Sequence, residues 1–317
     1  MKRRAAAKLP PAADGLTLLD YLSGRFDYHS REEWQKRIAG GELALNGVTV
    51  SDPQQLLQCG DHLEYTPQDL VEPPVNCNYR IVYEDDVLLV IDKPGNLPVH
   101  PAGPYFAHTL WALLQDAGYG ALHLVNRLDR ETSGLLIAGK NSQAAGKIAK
   151  TLPDMQKIYY TAVHGNFPNE LLAEGFLAKD PESAIRKKQR FTPYMPDDEN
   201  AKSARTFFRR LQYAPQKDLS LISAELFTGR MHQIRATLRS LDHPVVGDKL
   251  YGLNEQFYRR LALDTLSAED RQMLILDHQA LHCACLTIQH PLSDQTMHFE
   301  SPLPEEIAGL FTPTQTF

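Results

Sequence analysis

The sequence predicts an α+β protein, with a small N-terminal domain followed by a larger domain on a mixed, largely antiparallel sheet. Three observations lead to this fold class. The chain has 317 residues, 43% hydrophobic and 23% charged, enough to bury one large core and a smaller one. An aperiodic stretch over residues 68–78 contains two consecutive prolines and is typical of a linker. From residue 79 to 317, strand and helix patterns alternate irregularly and no repeat is visible.

The start of the chain, residues 1–14, is basic and contains alanine and proline, so we expect a flexible tail there. It lacks the apolar core of a secretion signal, and no apolar run approaches the roughly 20 residues of a membrane span. The cysteines Cys283 and Cys285 follow His282, but two further metal ligands do not occur at suitable spacing. We therefore expect a cytoplasmic protein with no disulfide scaffold and no metal.

Residues 15–67 have the pattern of two short helices followed by a small hairpin. Ser30 and Glu33 have the spacing of a capping box that would open the second helix, and Gly40-Gly41 would end it. Asn46-Gly47 suits a type I′ turn between two short strands. Leucines at helical spacing indicate the first helix: Leu16, Leu18, Leu19 and Leu22.

This order of elements resembles the RNA-binding domain named after ribosomal protein S-four. The residues that carry the resemblance are Gly41, the pair Asn46-Gly47 and the pair Gly60-Asp61. The resemblance implies a small α/β RNA-binding domain over residues 15–67. Residues 1–70 hold 8 basic and 10 acidic residues, which argues against strong RNA binding by this domain alone.

The charge is unevenly distributed. A net charge of −6 at first argues against a nucleic-acid partner. Residues 127–250, however, carry 20 Lys and Arg against 14 Asp and Glu, whereas the rest of the chain carries 13 against 25. Such segregation is typical of a polyanion-binding site on an otherwise acidic protein, although a basic stretch alone can equally be solvated surface.

The most informative stretch, residues 126–139, places Asp129 between Arg127 and Arg130. Turn residues and a short apolar run follow. An Asp in a closed pocket stays ionised only if a nearby cation opposes the cost of desolvation. The stretch therefore indicates either a functional carboxylate beside a phosphate-bearing substrate or an ordinary Arg–Asp ion pair next to a turn.

Residues 227–241 form a second candidate segment, a Thr-Gly turn followed by a helical pattern. His232, Arg235 and Arg239 recur at i, i+3 and i+7, so we expect them on one helix face. Such a row suits phosphates, or one long Arg that reaches a distant Asp. The alternative is a solvated basic face.

A third segment, residues 157–165, has the alternation of a strand and carries Tyr159. A tyrosine ring can stack on a nucleobase while its hydroxyl handles a proton. The alternative is a tyrosine that only packs in the core.

Together these segments resemble the RluA-type family of RNA pseudouridine synthases. The resemblance covers residues 79–310 and implies the pseudouridine synthase fold. Asn126 stands where most members of the family have His, and Asp92 replaces the usual Asn. The matching segments, in chain order, are Asp92 to Gly95, Val99-His100-Pro101, Asn126 to Gly134, Lys157-Ile158-Tyr159, Gly229 to Arg235, Leu281-His282 and His290-Pro291.

The resemblance implies an isomerase that converts uridine in RNA to pseudouridine, with Asp129 as the catalytic nucleophile. Tyr159 would stack on the uracil and Arg235 would pair with Asp129. Arg127 would occupy the space that a flipped-out base leaves. Further RNA contacts are implied for Arg130, Arg230, His232 and Gln233. The reaction has no redox step, so we expect no cofactor.

Two alternatives remain at the level of sequence. One is a non-catalytic RNA-binding or ribosome-assembly factor that keeps the fold. The other is a glycoside hydrolase that uses Asp129, but a second carboxylate partner is not evident. We expect the partner to be RNA, either large-subunit rRNA or tRNA, with no DNA or membrane partner, and we expect a monomer.

Overall fold

The computed structural model describes residues 5–26, 29–67, 71–120 and 122–312. The chain divides into two compact units, residues 1–74 with 101–107, and residues 75–100 with 108–317. The division at residue 74 falls in the stretch predicted as a linker, of which residues 68–70 lie outside the described part. The grouping of residues 101–107 with the first unit departs from the predicted contiguous domains. The Glu72 carboxylate accepts hydrogen bonds from the backbone N–H groups of Phe106 and Ala107, both at 2.8 Å. These residues are more than thirty positions apart, so the sequence pattern did not predict the contact.

The described helices have these bounds: α1 Leu18–Arg25, α2 Arg31–Ala39, α3 Leu110–Asp116, α4 Ser142–Thr151, α5 Gln233–Ser240, α6 Gln256–Ala262, α7 Ala268–Leu274 and α8 Glu305–Ala308. The described strands are β1 Ala5–Lys8, β2 Leu43–Leu45, β3 Val48–Val50, β4 His62–Tyr65, β5 Arg80–Glu84, β6 Leu88–Lys93, β7 His123–Leu124, β8 Ser133–Gly139, β9 Gln156–His164, β10 Glu170–Lys179, β11 Gln189–Thr192, β12 Lys202–Ala214, β13 Leu219–Leu226, β14 Leu281–Gln289 and β15 Thr296–Glu300. None of the helices in the described ranges is both long enough and apolar enough to cross a membrane.

The first unit packs α1 and α2 with a four-stranded sheet of order β1-β4-β2-β3. Ser30 caps α2, and its hydroxyl accepts a hydrogen bond from the Glu33 N–H at 3.2 Å. The Glu33 carboxylate pairs instead with Arg37 at 2.8 Å, so only half of the predicted capping box forms. Asn46 and Gly47 both have positive φ, as a type I′ turn requires.

The N-terminal stretch corrects the prediction of a flexible tail over residues 1–14. Residues 5–8 form an edge strand that pairs with β4, and Leu9 and Ala13 are buried in the core of the first unit. Residues 1–4 lie outside the described part. The prediction is wrong for residues 5–13 because the backbone of this segment pairs at a sheet edge, and the buried side chains of Leu9 and Ala13 anchor it.

The second unit is built on an eleven-stranded sheet in which the main path runs β11-β10-β12-β13-β9-β14-β8-β6-β5. β15 pairs with β14, and β7 pairs with β8. All described pairs are antiparallel except β14 with β8. The predicted mixed, largely antiparallel α+β sheet is therefore confirmed.

The two strands that flank the site meet very closely at Gly134. Its φ is +107°, and a Cβ there would lie 2.3 Å from the carbonyl oxygen of Cys283. Only glycine fits this backbone position. The loop that ends in β8 is therefore held directly against β14.

Candidate active site

Asp129 lies in the loop between β7 and β8, and backbone bonds fix its position. The Thr132 N–H donates to the carbonyl of Asp129 at 3.1 Å. The side chain of Asn126 accepts a hydrogen bond from the N–H of Ile137 in β8 at 2.8 Å. Asn126 therefore joins the start of the loop to the buried strand that follows it.

The partner of Asp129 is Arg235, 106 residues further along the chain. One guanidinium nitrogen of Arg235 lies 2.7 Å from Asp129, and two others bind Asp248 at 2.6 and 2.9 Å. Asp248 is fully buried, and its carboxylate also accepts the N–H groups of Leu250 and Tyr251 at 2.9 Å each. The bidentate bond to Asp248 orients Arg235, and Arg235 in turn orients Asp129.

These contacts keep Asp129 ionised. Burial is the largest single influence and acts to raise the pKa of Asp129, but the charge of Arg235 and the other favourable contacts together hold the pKa below the ordinary value of 3.8. Burial also disfavours the cation of Arg235, but Asp248 and then Asp129 raise the pKa of its guanidinium. The Asp129 side chain is 36% exposed, so the carboxylate remains accessible to a substrate.

His232 borders the same carboxylate. Its Nε2 lies 3.7 Å from Asp129, and its Nδ1 lies 2.9 Å from the hydroxyl of Tyr251. Burial, and then the charge of Arg235, lower the pKa of His232 to about 4. A neutral imidazole with a 10% exposed side chain is poorly suited to the phosphate contact predicted for it.

The predicted row of His232, Arg235 and Arg239 forms in part, since His232 and Arg235 both border the Asp129 carboxylate. His232 precedes α5 with φ +56°, in the left-handed region, so it does not follow the helical periodicity. Arg235 is buried and Arg239 is exposed. The spacing of residues predicts their direction on a helix but not what covers them, so it did not distinguish buried Arg235 from exposed Arg239.

Tyr159 lies in β9, opposite Cys283 of β14. Its side chain is buried. Burial raises the pKa of Tyr159 well above its ordinary value, with further contributions from Cys283 and from the Asp129 carboxylate. The phenol is therefore neutral, and it is close enough to Asp129 to respond to its charge.

Lys93, at the end of β6, is fully buried beneath the Asp129 loop. Its ammonium donates to the carbonyls of Pro94 at 2.8 Å and Arg130 at 3.2 Å. Burial lowers the pKa of Lys93 to about 7, and the Asp129 charge opposes this shift. Lys93 thus holds the Asp129 loop in place through its hydrogen bond to the Arg130 carbonyl.

The residues predicted to contact RNA differ in their availability. Arg127 is exposed. Arg130 donates to Asn96 at 3.2 Å and to Glu131 at 2.7 Å, so its guanidinium is engaged within the protein. Arg230 is exposed, and its Nε donates to the carbonyl of Ser203 at 3.1 Å.

Gln233, which was predicted to contact RNA, lies inside the protein. It is 3% exposed. Its amide oxygen accepts from the Thr228 hydroxyl and the Arg230 N–H, and its amide nitrogen donates to the Arg205 carbonyl and the Thr206 hydroxyl. A primary amide has two donors and two acceptor positions, so all of them are used inside the protein.

The chain is similar in sequence to known RNA pseudouridine synthases. A family model described as RNA pseudouridylate synthase matches residues 87–240. The tRNA pseudouridine(31) synthase of Saccharomyces cerevisiae is 34% identical over 75% of this chain and 67% of that protein. The ribosomal large subunit pseudouridine synthase D of Zymomonas mobilis is 31% identical over 89% of this chain and 88% of that protein. The chain belongs to the RluA-type RNA pseudouridine synthases. It is thus an isomerase that acts on RNA.

Solved structures agree with this family at the level of the fold. The structure of Human RNA Pseudouridylate Synthase Domain Containing 1 superposes with a TM-score of 0.58 and 23% identity, over 73% of this chain and 86% of that one. The predicted pseudouridine synthase fold is therefore confirmed for the larger unit.

Sequence reasoning about this pseudouridine synthase missed Asp248 and Tyr251. Tyr251 packs its ring against Arg235, with 4.9 Å between the ring centroid and Cζ. A signal was present, because Asp248 follows Val245, Val246 and Gly247 in an apolar stretch. A carboxylate in such a stretch is expected to be buried and paired with a cation.

Proposed function

We propose that Asp129 is the catalytic nucleophile, and that the substrate is a uridine in tRNA or large-subunit rRNA. The observation that carries this proposal is the bond between the accessible Asp129 carboxylate and buried Arg235. A nucleophilic carboxylate must remain ionised where water is scarce, and this pair provides that condition. The two RNA classes are those named for the yeast and Zymomonas relatives.

In the proposed reaction, the bond between uracil N1 and ribose C1′ breaks and a bond between C5 and C1′ forms. The proton leaves C5, N1 gains a proton, and no atoms are lost. The Asp129 carboxylate bonds transiently to the substrate, at ribose C1′ or at the uracil ring, and this bond breaks again before the product leaves, so that the carboxylate is regenerated. Tyr159 stacks on the uracil, exposed Arg127 occupies the space vacated by the flipped base, and Arg230 contacts a phosphate.

The test is Asp129→Asn in the full-length protein. The amide keeps the shape of the carboxylate but carries no charge, so we expect pseudouridine formation to be lost while RNA affinity stays within a few-fold. Asp264→Asn is the matched control, since Asp264 is exposed and its φ of +55° is one that Asn adopts readily. Pseudouridine in the product RNA is measured by chemical adduct formation and reverse-transcription stops. An active Asp129→Asn variant would overturn the assignment.

The RNA class is tested by mapping pseudouridines in total RNA from cells with and without the gene. Loss of a reverse-transcription stop in tRNA but not in rRNA identifies a tRNA enzyme, and the reverse identifies an rRNA enzyme. Complementation with Asp129→Asn tests the non-catalytic alternative. Normal ribosome assembly together with absent pseudouridine would show that assembly depends on neither the modification nor Asp129.

We also propose that residues 15–67 act as an S-four-like RNA-binding domain in a cytoplasmic monomer. Asn46 supports this, because its side chain donates to Asp61 at 2.9 Å and accepts from the His62 N–H at 2.8 Å. The Asn46-Gly47 motif and the Gly60-Asp61 motif of the resemblance therefore lie in contact.

All four cysteines are free, as is typical of a reducing compartment. Light scattering and cell fractionation test the oligomeric state and the compartment.

A further inference from the structure

One exposed surface next to the site combines an aromatic ring, a thioether and two arginines. We call it the Phe227 surface, and it consists of Arg205, Phe227, Arg230 and Met231. Phe227 is 45% exposed and Met231 is 55% exposed. The Cζ atom of Arg205 lies 4.9 Å from the centre of the Phe227 ring. Two large apolar side chains four residues apart are thus exposed to water beside a cation, so a binding role is indicated.

The backbone of this surface is held rigidly. The Phe227 N–H donates to the Arg205 carbonyl at 3.2 Å, and the Thr228 hydroxyl accepts from the Arg205 N–H at 2.9 Å. Buried Gln233 joins Thr228, Arg230 and Arg205 through three of its four hydrogen bonds. The ring is therefore presented on a fixed support, which reduces the ordering cost of binding.

The charges on this surface are available. Within the described ranges, neither Arg205 nor Arg230 forms an ion pair, although nearby basic residues do. Arg209 pairs with Glu170 at 3.0 Å, and Lys188 pairs with Glu255 at 2.7 Å. An exposed ring beside the Arg205 guanidinium, with a second arginine three residues after the ring that forms no ion pair in the described part of the chain, has the composition of a surface that binds single-stranded nucleic acid.

The surface continues directly into the site. Phe227 is five residues before His232, whose Nε2 lies 3.7 Å from Asp129. Five residues span at most about 17 Å, so a nucleotide on Phe227 would be within a few positions of the target uridine. We propose that an unpaired base flanking the target uridine stacks on Phe227, with its phosphates bound by Arg205 and Arg230. This inference rests on the proposed function, and it names where the neighbouring nucleotides of the substrate bind.

The experiment uses the full-length enzyme and total RNA from cells that lack the gene, in which the target uridine is unmodified. Rates of pseudouridine formation are measured under single-turnover conditions as the enzyme concentration is varied. For Phe227→Ala we expect the half-saturating concentration to rise about tenfold, with the saturated rate within about twofold of wild type. Phe227→Tyr retains a stacking ring and should have the half-saturating concentration of the wild type. Arg205→Ala should weaken binding. It should also make the plot of log affinity against log salt concentration less steep by about 1, because one fewer ion is released on binding.

Leu211→Ala is the matched control. Leu211 is 47% exposed and lies on the same strand as Arg205, about 20 Å further along it. Wild-type half-saturation for Phe227→Ala, with a wild-type thermal melt, would overturn the inference. If Phe227→Ala has a lower melting temperature than the wild type, Arg205→Ala decides the test. A wild-type half-saturating concentration and a wild-type salt dependence for Arg205→Ala would then overturn the inference. An inactive wild-type enzyme would count against the proposed function and not against this surface alone.

Discussion

At the scale of single residues, the site depends on one guanidinium shared by two carboxylates. Arg235 binds Asp248 through two nitrogens and Asp129 through the third. Asp248 has no exposed surface, so it serves to orient Arg235, whereas the Asp129 side chain is 36% exposed. The planar fork of arginine is needed because a lysine ammonium is a single point charge and does not reproduce this geometry.

Arg235→Lys should therefore lower the rate of pseudouridine formation about 100-fold, because Asp129 loses its fixed orientation. It should also change the pH profile. In the wild type, Asp129 has a lowered pKa and stays ionised as the pH falls to its ordinary value of 3.8. Without the close guanidinium, burial raises this pKa, so the acid side of the profile moves to higher pH. Arg271→Lys, at an exposed ion pair with Asp277, is the control. If the acid side of the pH profile does not move in Arg235→Lys, the pairing of Arg235 with Asp129 is contradicted.

His232 predicts a pH dependence of stability. Its pKa is about 4 in the folded protein and near the ordinary 6.5 in the unfolded chain. Between these values the unfolded chain binds a proton that the folded protein does not, so stability falls as pH falls from 6.5 to 4. The slope is at most about 1.4 kcal/mol per pH unit. In His232→Gln this contribution should disappear, as measured by urea unfolding at several pH values. Equal slopes in both proteins would contradict it.

At the scale of secondary-structure elements, the parallel pairing of β8 with β14 sets the position of the Asp129 loop. Ser133 and Gly134 pair with His282 and Cys283. The hydroxyl of Ser133 also lies 2.9 Å from Nδ1 of buried His282. Because Asp129 is only four residues before Ser133, a shift at this pairing would displace the carboxylate.

Gly134→Ala should destabilise the protein by about 3 kcal/mol, since an added Cβ would overlap the Cys283 carbonyl and alanine disfavours φ +107°. It should also lower activity. Gly146→Ala is the control, because a Cβ there has nothing within 4 Å and the residue lies inside α4. That change should stabilise by about 0.5–1 kcal/mol. Urea unfolding measures both, and a stable, active Gly134→Ala would contradict the assigned packing.

At the scale of the whole molecule, the two units have separate hydrophobic cores. Trp34 is fully buried in the first core, and the other tryptophan, Trp111, is the second residue of α3 in the larger unit. Each unit therefore carries its own fluorescent residue.

In a Trp111→Phe background, fluorescence reports the first unit alone. Ile38→Ala removes a fully buried side chain from that unit and should lower its unfolding free energy by about 2–5 kcal/mol. Ile91→Ala in the second core should leave the Trp34 transition unchanged. Equal shifts from both substitutions would show that the units unfold together.

The sequence by itself determined the two helices, the hairpin and the turn at Asn46-Gly47 of the first unit, because each is encoded by local spacing and turn chemistry. Asp129 as the nucleophile remains a prediction that the family resemblance implies. The sequence also indicated that Arg235, and not a neighbouring arginine, pairs with Asp129. Only the tertiary structure decided that Asp248 fixes Arg235, that His232 is neutral and that Gln233 is buried. These properties depend on desolvation and on contacts between distant segments, and a linear pattern does not contain either quantity.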